Sequence, residues 1–467
     1  MTPAKLRWPL ILALWVAEVT GSSETAMILA ALKALIADFG DPAKVGWLVT
    51  GYLIVGAAIA AIVGRLGDLY GRRRVLTIVL AIGAAGSLIS ALSASFPMLL
   101  AGRLMQGVTG AILPLCIGLV RENVSGERAA VTIGLMISGA SVGTAAGLVI
   151  GGLIVDTWSW HGVFAASAGL CTVALVGVLA LVPRSPTAPD IGRTDWLSGI
   201  LFAPGVALAL IYLTLAPRRG WSDPFLLALL AAGIALVAWW VRRSLTSPAP
   251  LVSVRAFADR TVAVGGAVTA LVAMSTLQIT VFFSLLLQAP TWTSAGLGLS
   301  ATAAGLAKLP SNITSMLAAP LGGWLAGRGG GRTAMVVGGL ITTTGWGLVL
   351  LDASSVTIVV AELIVISFGA TMLFAVAPTI ISQASPPDRV SEIAGLVTVL
   401  RQLFLGIGAQ LVTTLLAVET VTRGSERYPS PLAYQTTVVA IIAVSLLATL
   451  VCFALPTAKS KKETLGP

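Results

Sequence analysis

About fourteen continuously apolar stretches, each roughly twenty residues long, follow one another along this chain, and no other feature narrows its fold as far. They lie near 8–32, 47–67, 75–92, 98–119, 130–155, 162–182, 196–216, 225–241, 261–288, 301–326, 334–351, 357–380, 394–417 and 436–455. A hydrocarbon core about 30 Å thick takes roughly 20 residues of α-helix, so each stretch is long enough to cross a bilayer. None alternates apolar and polar residues with period two, which argues for helices and against a membrane barrel. Composition points the same way: 57% hydrophobic and 10% charged residues in a chain of 467 lie far from a soluble domain. The expected fold class is an all-α membrane protein of about 14 transmembrane helices, with the lipid bilayer as its surroundings.

The formal net charge of +10 raises nucleic acid as a partner, but the distribution of the basic residues speaks against it. By this segmentation about 20 of the 29 Lys and Arg residues fall on the side shared by the two termini, among them Arg72, Arg73, Arg74, Arg121, Arg128, Arg242, Arg243, Arg255, Arg260, Lys461 and Lys462. The opposite loops hold few, chiefly Lys44, Arg218, Arg219, Arg423 and Arg427. Cytoplasmic loops are enriched in Lys and Arg, so both termini are expected in the cytoplasm of a multi-pass cell-membrane protein. The first segment follows Lys5 and Arg7 and is too long for the core of a cleaved signal peptide, so it is expected to remain as a helix. Cys116, Cys171 and Cys452 all lie in apolar segments and imply no disulfide framework.

A repeat divides the chain. Residues Gly64 to Arg74 read Gly-Arg-Leu-Gly-Asp-Leu-Tyr-Gly-Arg-Arg-Arg, and an ungapped offset of 259 residues places Gly64 on Gly323, Leu66 on Leu325, Gly71 on Gly330 and Arg73 on Arg332. The same register carries Gly110 onto Gly369, Ala111 onto Ala370 and Arg103 onto Glu362. Two pseudo-symmetric six-helix bundles follow, 1–182 and 261–467, with linkers and two inserted helices in 183–260. Pro183, Pro186 and Pro189 precede the inserted pair, and Pro248 and Pro250 follow it. Internally repeated halves are a habit of transporters. The chain offers no phosphate loop, no His/Cys cluster and no extramembrane catalytic module, so an enzyme, a metal site and a bound cofactor are not expected.

Several polar residues interrupt the apolar helices, where a charge costs about 2.5–3.5 kcal/mol on insertion scales and therefore needs a partner or an aqueous cavity. Arg103 in the fourth segment is one; Glu18 and Glu24 in the first are others. Apolar surroundings favour the neutral form of a carboxyl and an adjacent arginine favours the charged form, so a buried Glu near Arg103 is a switchable proton site. Glu24 is the first choice and Glu18 the second; six positions apart, they point roughly 120° from each other on a helix. At the charged turn, Asp68 is expected to accept hydrogen bonds from an arginine or from the N-terminus of a neighbouring helix, with Gly64 and Gly71 permitting close approach and a tight turn, and Arg72 and Arg73 beside it, together forming a conformational gate. In the fifth segment Gly139, Gly143, Gly147 and Gly151 form a stripe at spacing four, followed by Gly152, against which another helix packs at backbone distance. Trp15, Tyr52, Gln106, Met136, Gln278, Phe282, Trp346, Glu362, Phe374 and Arg401 are candidates for a soft substrate cavity. Trp8, Trp47, Trp158, Trp160, Trp196 and Trp221 are expected in interfacial belts.

Gly64 through Arg73 closely resembles the signature between the second and third helices of the major facilitator superfamily. Arg103-Leu-Met-Gln106-Gly107-Val-Thr-Gly110 is similar to that family's fourth-helix motif, and the resemblance implies a part in proton coupling for Arg103. Gly143-Thr-Ala-Ala-Gly147-Leu-Val-Ile-Gly151-Gly152 looks like its antiporter motif, with Leu148 where the family usually has proline. Glu24-Thr-Ala-Met-Ile-Leu-Ala-Ala31-Leu32-Lys33 resembles the first-helix pattern of the fourteen-helix drug:proton antiporters, with Glu24, Leu29 and Lys33 in place of its Asp, Asn and Pro. The resemblance implies the major facilitator fold and proton-driven export of hydrophobic or amphipathic small molecules by alternating access. A transporter dedicated to one solute or lipid, including an importer, and a non-transporting membrane sensor or assembly protein remain as alternatives.

Overall fold

A computed structural model of the chain describes residues 8–39, 42–125, 127–187, 194–299, 301–423 and 426–455. Lys5, Arg7, Pro189, Lys461 and Lys462 lie outside these. Continuous apolar composition produces long helices: α1 (Trp8–Phe39), α2 (Pro42–Tyr70), α3 (Arg72–Ala91), α4 (Phe96–Gln106), α5 (Ile112–Asn123), α6 (Glu127–Thr157), α7 (Trp160–Leu181), α8 (Trp196–Arg219) and α9 (Pro224–Thr246). There follow α10 (Arg260–Met274), α11 (Ile279–Gln288), α12 (Ala301–Ala307), α13 (Leu309–Gly329), α14 (Gly331–Leu351), α15 (Val356–Ala384), α16 (Val390–Val418) and α17 (Pro431–Cys452). Between the last two, β1 (Thr420–Arg423) pairs antiparallel with β2 (Glu426–Pro429), Thr420 opposite Pro429. This hairpin falls between the last two apolar stretches and is not marked by them.

Each of the fourteen expected segments is helical, and the chain is a multi-pass membrane protein. Among the described residues, twelve helical stretches are long and apolar enough to cross a membrane. The first segment became α1, whose Glu18, Ser22, Ser23 and Glu24 lower its hydropathy. The tenth became α12 and α13, broken at Lys308 because Pro310, in the first turn of α13, has no N–H to continue the preceding helix. The fourth segment carries a tighter 3₁₀ turn, Gly107–Ala111, between α4 and α5, and the ninth has another, Thr276–Gln278, between α10 and α11.

The chain forms two compact units: Met1–Ala258 with Ser382–Val399, and Asp259–Ile381 with Leu400–Pro467. In the first, α1 packs on α6, α3 on α7, and α8 on α9, where Gly205 and Gly233 bring the inserted pair together at backbone distance. Its apolar core includes Met27, Leu35, Leu48, Leu99 and Phe164. In the second, α14 packs on α17, and Phe282, Phe283, Trp346, Leu363 and Tyr434 form the core. The sequence repeat has a backbone counterpart. Gly71 (φ 95°) and Gly330 (φ 85°), partners at the 259 offset, both occupy the region L side chains avoid, and each opens the next helix.

Candidate functional site

The first unit encloses a polar network built around Glu24 and Arg103, each 1% exposed. Its geometry begins with glycine. A Cβ on Gly107 would meet Tyr52 O at 2.9 Å, and one on Gly110 would meet the Gly56 Cα at 2.8 Å, so α2 lies against the 3₁₀ turn at backbone distance. That approach sets the Tyr52 ring 4.4 Å from the Arg103 guanidinium carbon and its hydroxyl 2.9 Å from Thr109 Oγ1. Arg103 Nε donates to Leu48 O (3.0 Å) and Nη1 to Gln106 Oε1 (2.7 Å), while Nη2 has no hydrogen-bond partner among the described residues. Gln106 Nε2 in turn donates to Ser87 Oγ (2.5 Å). Glu24 accepts from Thr109 Oγ1 at 2.8 Å, from Ser87 Oγ at 3.2 Å and from Cys171 Sγ at 3.3 Å. Glu24 and Arg103 therefore meet through Gln106 and Ser87 rather than in a direct ion pair. Glu18 is placed elsewhere on α1, toward Gly139 of α6 and Cys116 of α5.

The glycine stripe fixes the helix that carries Glu24. A Cβ on Gly143 would overlap Val19 O, one on Gly147 would come 2.8 Å from Ser23 O, and one on Gly151 would come 2.9 Å from the Met27 Cα. Successive glycines thus receive successive turns of α1, and Ser23 Oγ ties the pair by donating to Gly143 O at 3.0 Å. A Cβ on Gly152 would meet nothing within 4 Å among the described residues. Gly143→Ala is expected to destabilise the protein by about 1–3 kcal/mol through backbone overlap. Gly152→Ala is expected to be neutral or stabilising by up to about 1 kcal/mol, since alanine is the better helix former. Thermal unfolding of the two purified variants checks this, and equal losses would show that close packing is not the role of the stripe.

A second polar group surrounds Asp68 at the end of α2, also within the first unit. Asp68 Oδ1 accepts from Arg72 Nε at 2.8 Å and from Ser391 N at 3.3 Å; Oδ2 accepts from Glu392 N at 2.9 Å. The carboxylate therefore caps the first turn of α16 from another helix, satisfying N–H groups that α16 cannot pair itself. Arg72 also donates to Gly118 O (3.2 Å), Ser391 Oγ (3.1 Å) and Pro387 O, and faces Glu122 at 3.5 Å. A Cβ at Gly64 would overlap the Ser391 carbonyl. Glu392, fully buried, faces Arg65 (3.5 Å) and Arg389 (3.3 Å) and accepts from Ser253 N at 2.7 Å. Arg73 turns away from Asp68 to Leu179 O (2.5 Å).

The cavity candidates separate by environment. Tyr52 and Gln106 belong to the Glu24 network, Met136 is fully buried, and Trp15 lies over Gly139. In the second unit Phe282 and Trp346 are core residues, edge to face at 5.4 Å. Gln278 donates to Ala273 O (2.8 Å) and Leu405 O (3.0 Å), and the Arg401 guanidinium stands 5.2 Å from the Phe374 ring centre. Glu362 is 3% exposed, and neither of its carboxylate oxygens has a hydrogen-bond partner among the described residues. Trp160, expected at an interface, is buried because its indole N–H reaches Asp38 Oδ2 at 2.5 Å and its ring packs on Phe39. Ser87, Thr109, Cys171, Arg65 and Glu392 escaped the sequence reading. Charge at the start of the thirteenth segment was the available signal for Glu392, and none marks Ser87 or Thr109 among the many hydroxyls of apolar helices.

Repeated halves with charged groups held inside membrane helices define a membrane transporter. The chain belongs to the Major Facilitator Superfamily, whose family model matches residues 14–216 and 196–409. It is 28% identical over 430 residues to the tetracenomycin C resistance and export protein of Streptomyces glaucescens, covering 90% of this chain and 77% of that one. It is 26% identical to a multidrug resistance protein B homolog of Mycobacterium tuberculosis, covering 86% of this chain and 75% of the relative. Among solved structures, the human organic anion transporter MFSD10 shares the fold, with a TM-score of 0.68 at 14% identity over 97% of this chain and 100% of that one.

Proposed function

We propose that this transporter exports hydrophobic or amphipathic small molecules across the cell membrane in exchange for protons, by alternating access of two halves, 1–182 and 261–467, with both termini cytoplasmic. The observation that carries the reading is the double hydrogen-bonding choice around Glu24. Ser87 and Thr109 each have one O–H and two acceptors: Glu24, and their own helix carbonyls Gly83 O and Gln106 O, both at 2.8 Å. With Glu24 ionised, both hydroxyls donate to it. With Glu24 protonated, its O–H donates to one of them and the hydroxyls turn to the carbonyls. Either state leaves the carboxyl and both hydroxyls paired, so a proton is taken up or released without stranding the carboxyl or either hydroxyl. The Gln106 amide, held between Arg103 and Ser87, makes the arginine sensitive to which state prevails. The export direction is supported by relatives named for antibiotic export and multidrug resistance.

The test is the full-length protein in proteoliposomes under an imposed pH gradient. Antiport moves the substrate toward the acidic compartment; movement with the protons, or indifference to the gradient, would overturn the reading. Glu362 extends the expectation to substrate charge. Asp352, within its electrostatic reach, is held below the usual carboxylate range by hydrogen bonds from the Ser354 hydroxyl and backbone, and stays ionised. An unpartnered buried carboxyl gains roughly 1.5–3 kcal/mol from a charged hydrogen-bond partner. Glu362→Gln is therefore expected to weaken a cationic substrate about tenfold or more and a neutral one little, read as KM in the same vesicles.

A further inference from the structure

At the end of the first unit where α2 stops and α3 begins, a cavity of about 370 Å³ opens beside the last turn of α7. Three of its lining residues are Arg73, Arg74 and Arg184, joined by Ser185, Tyr70 and Leu179, and among the described residues none that lines it is acidic. Arg73 is anchored by its Leu179 contact, its backbone N–H donates to Ser185 Oγ at 3.2 Å, and its buried Nε has no partner among the described residues. Arg74 and Arg184 are exposed and have no ion pair among the described residues. Three guanidinium groups on one cavity repel one another unless an anion sits among them. Among the described residues the nearby carboxylates do not serve, because Asp68 and Glu122 face Arg72.

The chemistry of the anion follows from the donors and the place. Arginine forks and a helix N-terminus match the oxygens of a phosphate group. The cavity lies where three membrane spans end together, at Tyr70, Arg72 and Leu181. That is the depth at which phospholipid phosphates stand, and basic pockets between helix ends bind such headgroups. Leu179 gives the cavity an apolar wall, and Tyr70, paired with Trp196 at 6.4 Å between ring centres, is an amphipathic residue suited to the same boundary. We propose that this pocket binds the phosphate of an anionic phospholipid, with Arg74 and Arg184 closing over it from the rim and Arg73 from within. Ser185 links the pocket to the rest of the first unit, since it also bonds the Glu122 carboxylate opposite Arg72.

The experiment measures lipids retained by the purified full-length protein, by native mass spectrometry after exchange into mixtures of phosphatidylglycerol and phosphatidylcholine. The expected result is one preferentially held phosphatidylglycerol, with its affinity reduced about thirtyfold in R74Q/R184Q, as two surface arginines imply. R74K/R184K, which keeps both charges, is expected to retain most of the preference. Unchanged thermal unfolding of the variants in phosphatidylcholine shows that they remain folded. Equal retention of the two lipids, or an R74Q/R184Q variant that keeps its preference, overturns the proposal. Displacement of the lipid by millimolar inorganic phosphate also overturns it, by assigning the pocket to a soluble anion.

Discussion

Glu24→Gln is expected to abolish proton-driven accumulation while leaving substrate exchange intact. The glutamine has the size of the protonated acid, and its carbonyl oxygen accepts from Thr109 or Ser87 as the carboxyl does. What it lacks is a proton to release, so the network is held in one of its two hydrogen-bonding arrangements. For one proton exchanged per neutral substrate, a gradient of one pH unit supplies about 1.4 kcal/mol, enough for roughly tenfold accumulation. The accumulation ratio is expected to fall from that value to one, whereas exchange of labelled for unlabelled substrate, which needs no net proton movement, continues. Glu18→Gln is expected to remain coupled, because Glu18 faces Gly139 and Cys116 and not the Ser87–Gln106–Arg103 path. Full accumulation in the Glu24 variant with loss in the Glu18 variant would move the proton site to Glu18. Full accumulation in both would remove the mechanism.

The long helices were legible in the sequence because membrane spans announce themselves by composition, and each of the fourteen apolar stretches is helical. The polar groups were legible only one partner at a time. An arginine inside an apolar segment must find acceptors, so Arg103 stood out, but Leu48 O and Gln106 become its acceptors only through the close crossing of α2 over Gly107 and Gly110. Ser87 and Cys171 reach Glu24 because α3 and α7 pack together beside α1, which no local pattern records. Asp68 shows the same limit. Its type and its glycine-rich setting called for an arginine and a helix N-terminus, yet Arg72 is four residues away and Glu392 is 324 residues away. Aromatic residues were the least readable, since apolar helices place Phe282 and Trp346 in a packed core as readily as on a cavity wall. The twofold repeat was visible in two glycines, Gly71 and Gly330, because a positive φ leaves few other residues acceptable.

Asp68→Asn is expected to release the first turn of α16. Two effects act together. The carboxylate is the acceptor for Ser391 N and Glu392 N, where a negative charge is favoured by the helix dipole, and an uncharged asparagine keeps only part of that interaction. It is also the nearest counter-charge of buried Arg72, at 2.8 Å, with Glu122 more distant at 3.5 Å. Breaking a buried pair while leaving one charge in place costs about 3–5 kcal/mol, more than the cap alone at about 1 kcal/mol. Hydrogen exchange at the Ser391 and Glu392 amides is therefore expected to accelerate on the order of a hundredfold, with transport falling at least about tenfold. Gly64→Ala provides a separate route to the same state. Asp68 and Arg72 are retained, but the added Cβ overlaps the Ser391 carbonyl, and a backbone atom cannot turn aside as a side chain can. At Gly67 the atom met is the end of the Leu115 side chain, which can rotate, so Gly67→Ala is expected to be milder. If the Asp68 variant keeps its amides protected, the carboxylate does not hold α16 by its N-terminus. If only Gly64→Ala exposes them, steric approach and not charge sets the position of that helix.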